Sequence, residues 1–505
     1  MKNYFKKHNL VKVALMVLFL VIIFTWIFPE CYYNNGTLTL ANAEKFGFMT
    51  LVDADYRLGI FDIVTYTFLS FYYFIDLFMF ILMVGGFYKF IGSLKAYDAV
   101  TTSIAKKAKG KEKVFAAVTI LLFTVLASII INPIILLVFI PFILSIAAKL
   151  KIDKVSGAAI GFGGLLLGGL ASMYSASVSG ALVNALNVTY GFEWVAVLVV
   201  GLIAYVLFTA LVVIRMNKQA KNKDVKLLED IFITEQEEKP SLVKKLLKNG
   251  KVKKVVKKTP KVKTLPFVIV SIVASIILIL AFLDWTNVFK TTFFTDVYNS
   301  ITNATIGNVK IFYYLLGSVD LSGEPTFTAF GSWSLFSVCS VLLIVSFILK
   351  IMYRKSFSDM IQEYCDGVKA IGKAFLPFMI CYLVLEFSVL FVRVPGIIDW
   401  IYGINKNFFT LYVGSFIANI FTVQFQYNVS LLSSVYSSFS NVNVAALALQ
   451  FSCGVLSFFG PTSAVLFLGL GMTDVKYGEW LKYIWKFVLA MLVVTIAVLA
   501  ILFLI

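Results

Sequence analysis

Eight stretches of this chain are too long and too apolar to lie anywhere but in a bilayer: roughly 10–28, 72–93, 114–131, 193–214, 265–283, 333–352, 371–393 and 483–505. A helix rises about 1.5 Å per residue and the hydrocarbon layer is about 30 Å thick, so about 20 apolar residues make one crossing. Inside that layer every backbone N–H and C=O has to be satisfied within the chain, which leaves helices or a closed barrel. Barrel strands need only about 9–11 residues, so segments of this length read as an all-α integral membrane protein. Composition agrees: 14% of residues are charged, against about 25% in soluble proteins. The first segment has a basic head and an apolar body, like a signal peptide. It has no small-residue cleavage site and more spans follow, so 1–28 is read as a retained first helix.

The formal net charge of +17 is concentrated in "KKHNLVK" near the start, "KKAKGKEK" (106–113), "KLKIDK" (149–154), the segment 215–264 and "YRK" (353–355). Basic residues in short loops face the cytoplasm, so this pattern is topology and not a surface for nucleic acid. The amino terminus is expected in the cytoplasm of a cell-membrane protein, in the plasma or inner membrane. Loops 29–57, with Asp53 and Asp55, and 284–330 are expected on the other side, the second of them after a span at 265–283. The segment 215–264 reads as a mobile basic linker attracted to anionic lipid. The single histidine, His8, lies in the basic tail, which removes His-based zinc sites and Ser-His-Asp triads from the membrane part. The five cysteines have no C-x-x-C spacing and there is no G-x-x-x-x-G-K-[ST] loop, so redox chemistry and direct ATP drive are not expected.

Four longer tracts are interrupted by small polar residues: 132–149, 156–186, 407–440 and 443–471. They recur in the same order in two halves, 58–214 and 333–505. "GIFDIVTYTFLSFYYFIDLF" from 59 aligns in hydropathy with "SFSDMIQEYCDGVKAIGKAF" from 356, placing Asp62 opposite Asp359 and Asp98 near Asp399. Likewise "GAAIGFGGLLLGGLASMYSASVSGAL" from 157 aligns with "VAALALQFSCGVLSFFGPTSAVLFL" from 444, placing Tyr174-Ser175-Ala176 opposite Pro461-Thr462-Ser463. The span 72–93 runs into a basic loop, whereas its counterpart 371–393 starts from one. Two inverted-topology repeats are therefore expected, each with a re-entrant hairpin (about 122–149 and 407–440) and a broken helix (about 156–186 and 443–471).

The interruptions supply the candidate site. Proline removes a backbone donor and glycine loosens a helix, and freed backbone groups at membrane depth are tolerated only where they face protein or a watery cavity. Asn132-Pro133 breaks the first hairpin. Ser172, Tyr174, Ser175, Ser177, Ser179 and Gly180 break the first long tract. Gln424, Gln426, Asn428, Ser430, Ser433 and Ser434 stand in the second hairpin, and Gly460, Pro461, Thr462 and Ser463 in the second broken helix. Any one cluster suits close packing of small residues. Four at matching places suit a site near the midplane, where helix amino ends offer N–H groups to anions and freed carbonyls or hydroxyls suit sodium. Asp76 and Glu386, with Arg393, are the ionisable groups placed deepest, and Glu386 is the preferred candidate for proton coupling.

"GPTSAVLFLGLGMTDVKYGEWLKYIWK" closely resembles the P-T-S signature, followed by W-x-K-x-x-W, of the YfcC-like, DcuC-related anaerobic C4-dicarboxylate carriers of the ion transporter superfamily. "FILMVGGFYKFIGSLKAYDA" (80–99) and "KKAKGKEK" are similar to the amino-terminal half of that family. The resemblance implies inverted repeats with hairpins and broken helices, commonly in a homodimer with scaffold and transport parts, and a site at Gly460, Pro461, Thr462 and Ser463. The chain departs where relatives have Asn-Pro-Phe in the first broken helix ("SMYSASVSG" here), an acidic pair at the first hairpin (Asn132-Pro133 here) and a Ser/Gly/Ala-rich second hairpin ("QFQYNVSLLSS" here).

The expected activity is secondary active transport of a small anionic or zwitterionic solute, a dicarboxylate or an amino acid, with sodium or protons as the coupling ion and no other cofactor. The other classes are a passive pore, a scaffold that has lost transport, and an intramembrane enzyme, for which no nucleophile and base pattern is present.

Overall fold

In a computed structural model of the chain, the described residues are 9–28, 31–34, 37–40, 57–189, 193–220, 226–233, 262–317, 327–390, 393–404, 407–421 and 425–504. His8, Asp53, Asp55, Gln424 and most of the basic linker lie outside them, as do the side chains of Asp399 and Ser434.

Helix α1 (Asn9–Ile27) precedes a two-stranded antiparallel hairpin, β1 (Cys31–Asn34) and β2 (Thr37–Leu40), a small exception to the all-helical expectation. Two helices follow, α2 (Ile60–Tyr73) and α3 (Ile75–Gly92). They part at Phe74, whose φ of −115° and ψ of 25° leave the helical region, so the apolar stretch expected from 72 is divided without a proline or glycine. Next come α4 (Lys95–Ala108), α5 (Glu112–Ile129), a 3₁₀ turn (Pro133–Phe139) and α6 (Ile140–Lys149). After these stand α7 (Lys154–Leu170), a π turn (Ala176–Gly180) with α8 (Ala181–Leu186), and α9 (Trp194–Gln219). Between the halves lie α10 (Leu265–Phe282), two short helices α11 (Phe293–Asn303) and α12 (Ile311–Leu316) inside the segment read as a loop, and α13 (Leu335–Met352). The second half comprises α14 (Phe357–Leu390), α15 (Val394–Ile404), α16 (Phe408–Phe421), α17 (Phe425–Tyr436), α18 (Val442–Leu456), α19 (Ala464–Met472) and α20 (Tyr477–Leu504).

Eight of these helices are long and apolar enough to cross a membrane, at the eight places read from the sequence. The stretch at 371–393 belongs to a 34-residue helix that starts earlier, at Phe357. One succession occurs twice: a long helix, a short one, a helix ending in a break, a returning segment, a helix with a second break, a short helix and a final span. In these terms α3 corresponds to α14, α5 to α16, α7 to α18 and α9 to α20. Asp153 caps α7, accepting from the amides of Val155 and Ser156, and Asn441 caps α18, accepting from that of Val444; both are strong N-cap types.

Counterparts pack against each other antiparallel. Along α3 and α14, Phe74 meets Tyr382, Phe78 meets Phe378, and Phe90 meets Tyr364. Where they cross, a Cβ on Gly367 would stand 2.2 Å from the Gly85 carbonyl oxygen, so the contact needs glycine. Along α9 and α20, Phe208 meets Phe487 and Arg215 lies over Tyr483. By contrast α5 and α7 run parallel: Gly164 faces Ile120 and Phe123, and Gly168 faces Ala127. The returning segment between them ends at Lys149, whose ammonium bonds the Asp98 carboxylate of α4 at 2.6 Å.

The basic linker is not a free connector throughout. Residues 226–233 dock on the core: the Leu228 amide donates to the Ile152 carbonyl at 2.9 Å, the Lys154 amide donates to that of Lys226 at 3.2 Å, and Phe232 is buried beside Tyr88. Its apolar residues Leu228, Ile231 and Phe232 outweigh the charged neighbours in deciding this.

Candidate functional site

The helix breaks meet the ends of α5 and α16. In the first half, α7 stops at Leu170 and the chain crosses 171–175 before turning again. The Tyr174 amide donates to the Ser128 carbonyl, and the Ser177 amide to that of Ile131, both at 3.2 Å. Ser128 and Ile131 flank the end of α5, so the break is pinned there. In the second half, the Thr462 hydroxyl donates to the Ile420 carbonyl at 2.7 Å, at the end of α16. The two pins occupy matching places, one residue before the last of α5 and of α16.

A break inside a membrane protein leaves carbonyls without helical partners, each costly unless paired. Those of the second break are taken up by two side chains of α20 and by one of the break itself. Trp480 Nε1 donates to the Phe458 carbonyl at 2.6 Å, the Tyr477 hydroxyl to that of Phe459, and the Ser463 hydroxyl to that of Ser457 at 2.8 Å. The first break is held across the halves: Gln450 Nε2 donates to the Ser172 carbonyl at 2.8 Å and to that of Leu170 at 3.4 Å. Close approach there requires Gly454, where a Cβ would stand 2.6 Å from Leu170 Cα. Asn419 makes a third junction, donating to the Leu449 carbonyl and the Ser452 hydroxyl and accepting from Asn428 Nδ2 at 2.6 Å.

Between these elements is a cavity of about 410 Å³. All four interruptions line it: Asn132 from the first hairpin, Ser177 from the first break, Gln426 from the second hairpin, and Ser457 and Ser463 from the second break, with Gln450 beside them. Leu165, Trp333, Tyr382 and Phe425 contribute the apolar wall, and among the described residues none that lines it is charged. Ser463 is the N-cap residue of the nine-residue helix α19 but makes no cap bond, and Ala464 and Val465, the first two helical residues, line the cavity. The first N–H groups of a helix have no helical acceptor and carry the positive end of its dipole. In the first half, Ala176, Ser177 and Val178 bring the start of the π turn to the same space, while Asn132 accepts from the Ile134 amide at 3.1 Å and so caps its own turn.

The other sequence candidates stand around the cavity. Ser175 is buried behind Ser177, their hydroxyls 2.9 Å apart. Tyr174, Gly460, Pro461 and Thr462 shape the breaks without lining the cavity, and Asn428 is buried against Asn419. Ser430 is exposed and borders a second cavity of about 440 Å³ between α8 and α17, which shares Ala176 and Gln426 with the first. Asp76 is engaged at the start of α3, its Oδ1 accepting from the Leu77 amide at 2.7 Å. Glu386 is buried in α14 away from the cavity, and neither carboxylate oxygen has a hydrogen-bond partner. Gln450 and Asn419 were not legible as site residues, because a single amide in an apolar run gives no spacing to read. Among the described residues no cluster of three or more His, Cys, Asp or Glu is placed to hold a metal.

The family model for the C4-dicarboxylate anaerobic carriers, DcuC, matches residues 8–504. The chain belongs to this family. It is thus a multi-pass membrane carrier. No curated protein matches it. Among solved structures, the YdaH transporter of Alcanivorax borkumensis aligns with 97% of this chain and 97% of its own, at 13% identity and a TM-score of 0.39. MtrF of Neisseria gonorrhoeae, described within a class of antimetabolite efflux pumps, aligns with 97% and 94% at 12% identity and a TM-score of 0.37. At such scores neither likeness bears on fold or function.

Proposed function

We propose that this carrier moves a small carboxylate-bearing solute, a C4-dicarboxylate first of all, through the cavity between its breaks by alternating access. The observation that carries this reading is the uncapped amino end of α19, open to an uncharged cavity. A carboxylate at a helix amino end is held by N–H groups and the dipole without a fixed counter-charge. At the start of the π turn in the first half the Ser177 and Val178 amides already donate to the Ile131 and Ser175 carbonyls, which leaves the Ala176 amide for the second acidic group of such a solute. Neutral walls also favour release, since a lysine or arginine partner in a dry cavity would hold a dianion too tightly for turnover.

Antiparallel packing of α3 on α14 and of α9 on α20 supports inverted repeats. The parallel course of α5 and α7, with Lys149 returned to Asp98, supports a re-entrant hairpin at 112–149. With the basic loops in the cytoplasm, the amino terminus lies there too. Glu386 is the proposed proton-coupling group: an unpaired carboxyl in hydrocarbon costs about 2.5–3.5 kcal/mol on insertion scales and is kept where it is used.

The test is uptake into proteoliposomes of labelled succinate, fumarate, aspartate and arginine, with sodium and pH gradients imposed separately. Uptake of a dicarboxylate is expected, with KM raised roughly tenfold in Ser463→Ala, which takes the hydroxyl off the Ser457 carbonyl and leaves an unpaired acceptor beside the anion. Preference for arginine, or an unchanged KM in that variant, would overturn the assignment of solute and site.

A further inference from the structure

A second space, of about 510 Å³, opens between the last turns of α9 and the first turns of α20. Arg215 and Lys218 line it from α9, and Lys482, Tyr483, Trp485 and Lys486 from α20. Its one lining carboxylate, Asp153, is engaged, accepting from Arg215 Nε at 2.9 Å and from two backbone amides. Lys218, Lys482 and Lys486 are in no ion pair among the described residues. Four cationic side chains, Arg215, Lys218, Lys482 and Lys486, thus line this space against one carboxylate, a balance that favours an anion there.

Two further observations point to what the anion is. Tyr483 lines the space and is buried, 8% exposed, yet its hydroxyl has no hydrogen-bond partner among the described residues. A buried donor left unpaired costs about 1–3 kcal/mol, and a phosphate oxygen would accept from it. From the lysines an apolar strip runs along α20 at helical spacing: Trp485, Leu489 and Val493 are 50%, 52% and 68% exposed. Exposed apolar residues below an interfacial tryptophan face acyl chains. A soluble phosphate would have no use for that strip.

We infer that an anionic phospholipid binds here, its phosphate held by Lys218, Lys482, Lys486 and the Tyr483 hydroxyl, its chains along Trp485, Leu489 and Val493. Basic pockets between transmembrane helices recognise such headgroups. Because α9 closes the first half and α20 the second, the lipid clips the two halves together at their basic edge.

The experiment is native mass spectrometry of the full chain in detergent, titrated with phosphatidylglycerol, phosphatidylcholine or inorganic phosphate. Lipid binding is read without transport, so its failure and that of the transport reading are separable. One phosphatidylglycerol per chain is expected to be retained in preference to phosphatidylcholine. Lys482→Gln with Lys486→Gln should weaken it about thirtyfold, the effect of two lysines at a membrane surface, and Tyr483→Phe about fivefold, that of one hydrogen bond. Lys106→Gln with Lys107→Gln, basic positions of α4, should leave it unchanged. Equal loss in both lysine pairs, no loss in the α20 pair, or displacement of the lipid by millimolar inorganic phosphate would each overturn the assignment.

Discussion

Thr462 and Ser463 are neighbours with opposite duties. The Thr462 hydroxyl is buried and pins the break to α16 through Ile420, whereas Ser463 lines the cavity at the start of α19 with its hydroxyl given to the Ser457 carbonyl. Thr462→Val should therefore lower stability by about 1–3 kcal/mol, the cost of leaving the Ile420 carbonyl unpaired, and leave KM near its original value. Thermal unfolding of the purified variant beside its uptake kinetics would check this; a large KM change without loss of stability would place Thr462 in the cavity. Glu386→Gln keeps the shape and removes the proton site. Uptake should then stop responding to a pH gradient while exchange of internal for external solute continues, and retained response to pH would remove Glu386 from coupling. The P-T-S signature was legible from proline at membrane depth, but which of its residues meets the solute was not. That depends on the turn at 457–463, which sequence spacing does not describe.

At the level of the element, each break is stable only because side chains from distant helices satisfy its carbonyls. Trp480 and Tyr477 of α20 serve the second break, so the first tryptophan of the signature after P-T-S is structural support for the break. Gln450 serves the first break from the other half. Gln450→Leu leaves the Leu170 and Ser172 carbonyls bare and should cost about 1–3 kcal/mol, with faster hydrogen exchange expected at 171–180; unchanged exchange would contradict the cross-half staple. The existence of the breaks was legible from Pro461, Gly460 and the serines. The staple was not, since its partners are 278 residues apart in sequence. Nor was the parting of α2 and α3 at Phe74, where no proline or glycine marks the end, or the docking of 226–233, whose few apolar residues are set in a charged segment.

Over the whole molecule, the lipid-length segments and their basic flanks were legible because hydrocarbon allows so few backbone solutions. The doubled order of elements was legible from the recurrence of polar tracts, while the pairing of α3 with α14 depends on Gly85 and Gly367, two glycines among many. Sidedness follows from the inverted reading. Single cysteines at Lys111 and Lys355, in a background without native cysteine, should react with an impermeant thiol reagent only from the cytoplasmic side, and one at Gly307 only from the other; labelling of all three from one side would contradict the inversion. The central claim is that one cavity, built from both halves, carries solute alternately to either face. Counterflow tests it most directly: proteoliposomes loaded with unlabelled succinate and diluted into a trace of labelled succinate, without an ion gradient. A carrier predicts transient accumulation of label above its equilibrium level, absent from empty vesicles and reduced in Ser463→Ala. Label that enters at the same rate whether or not the vesicles are loaded, and never exceeds equilibrium, would contradict alternating access and leave a pore.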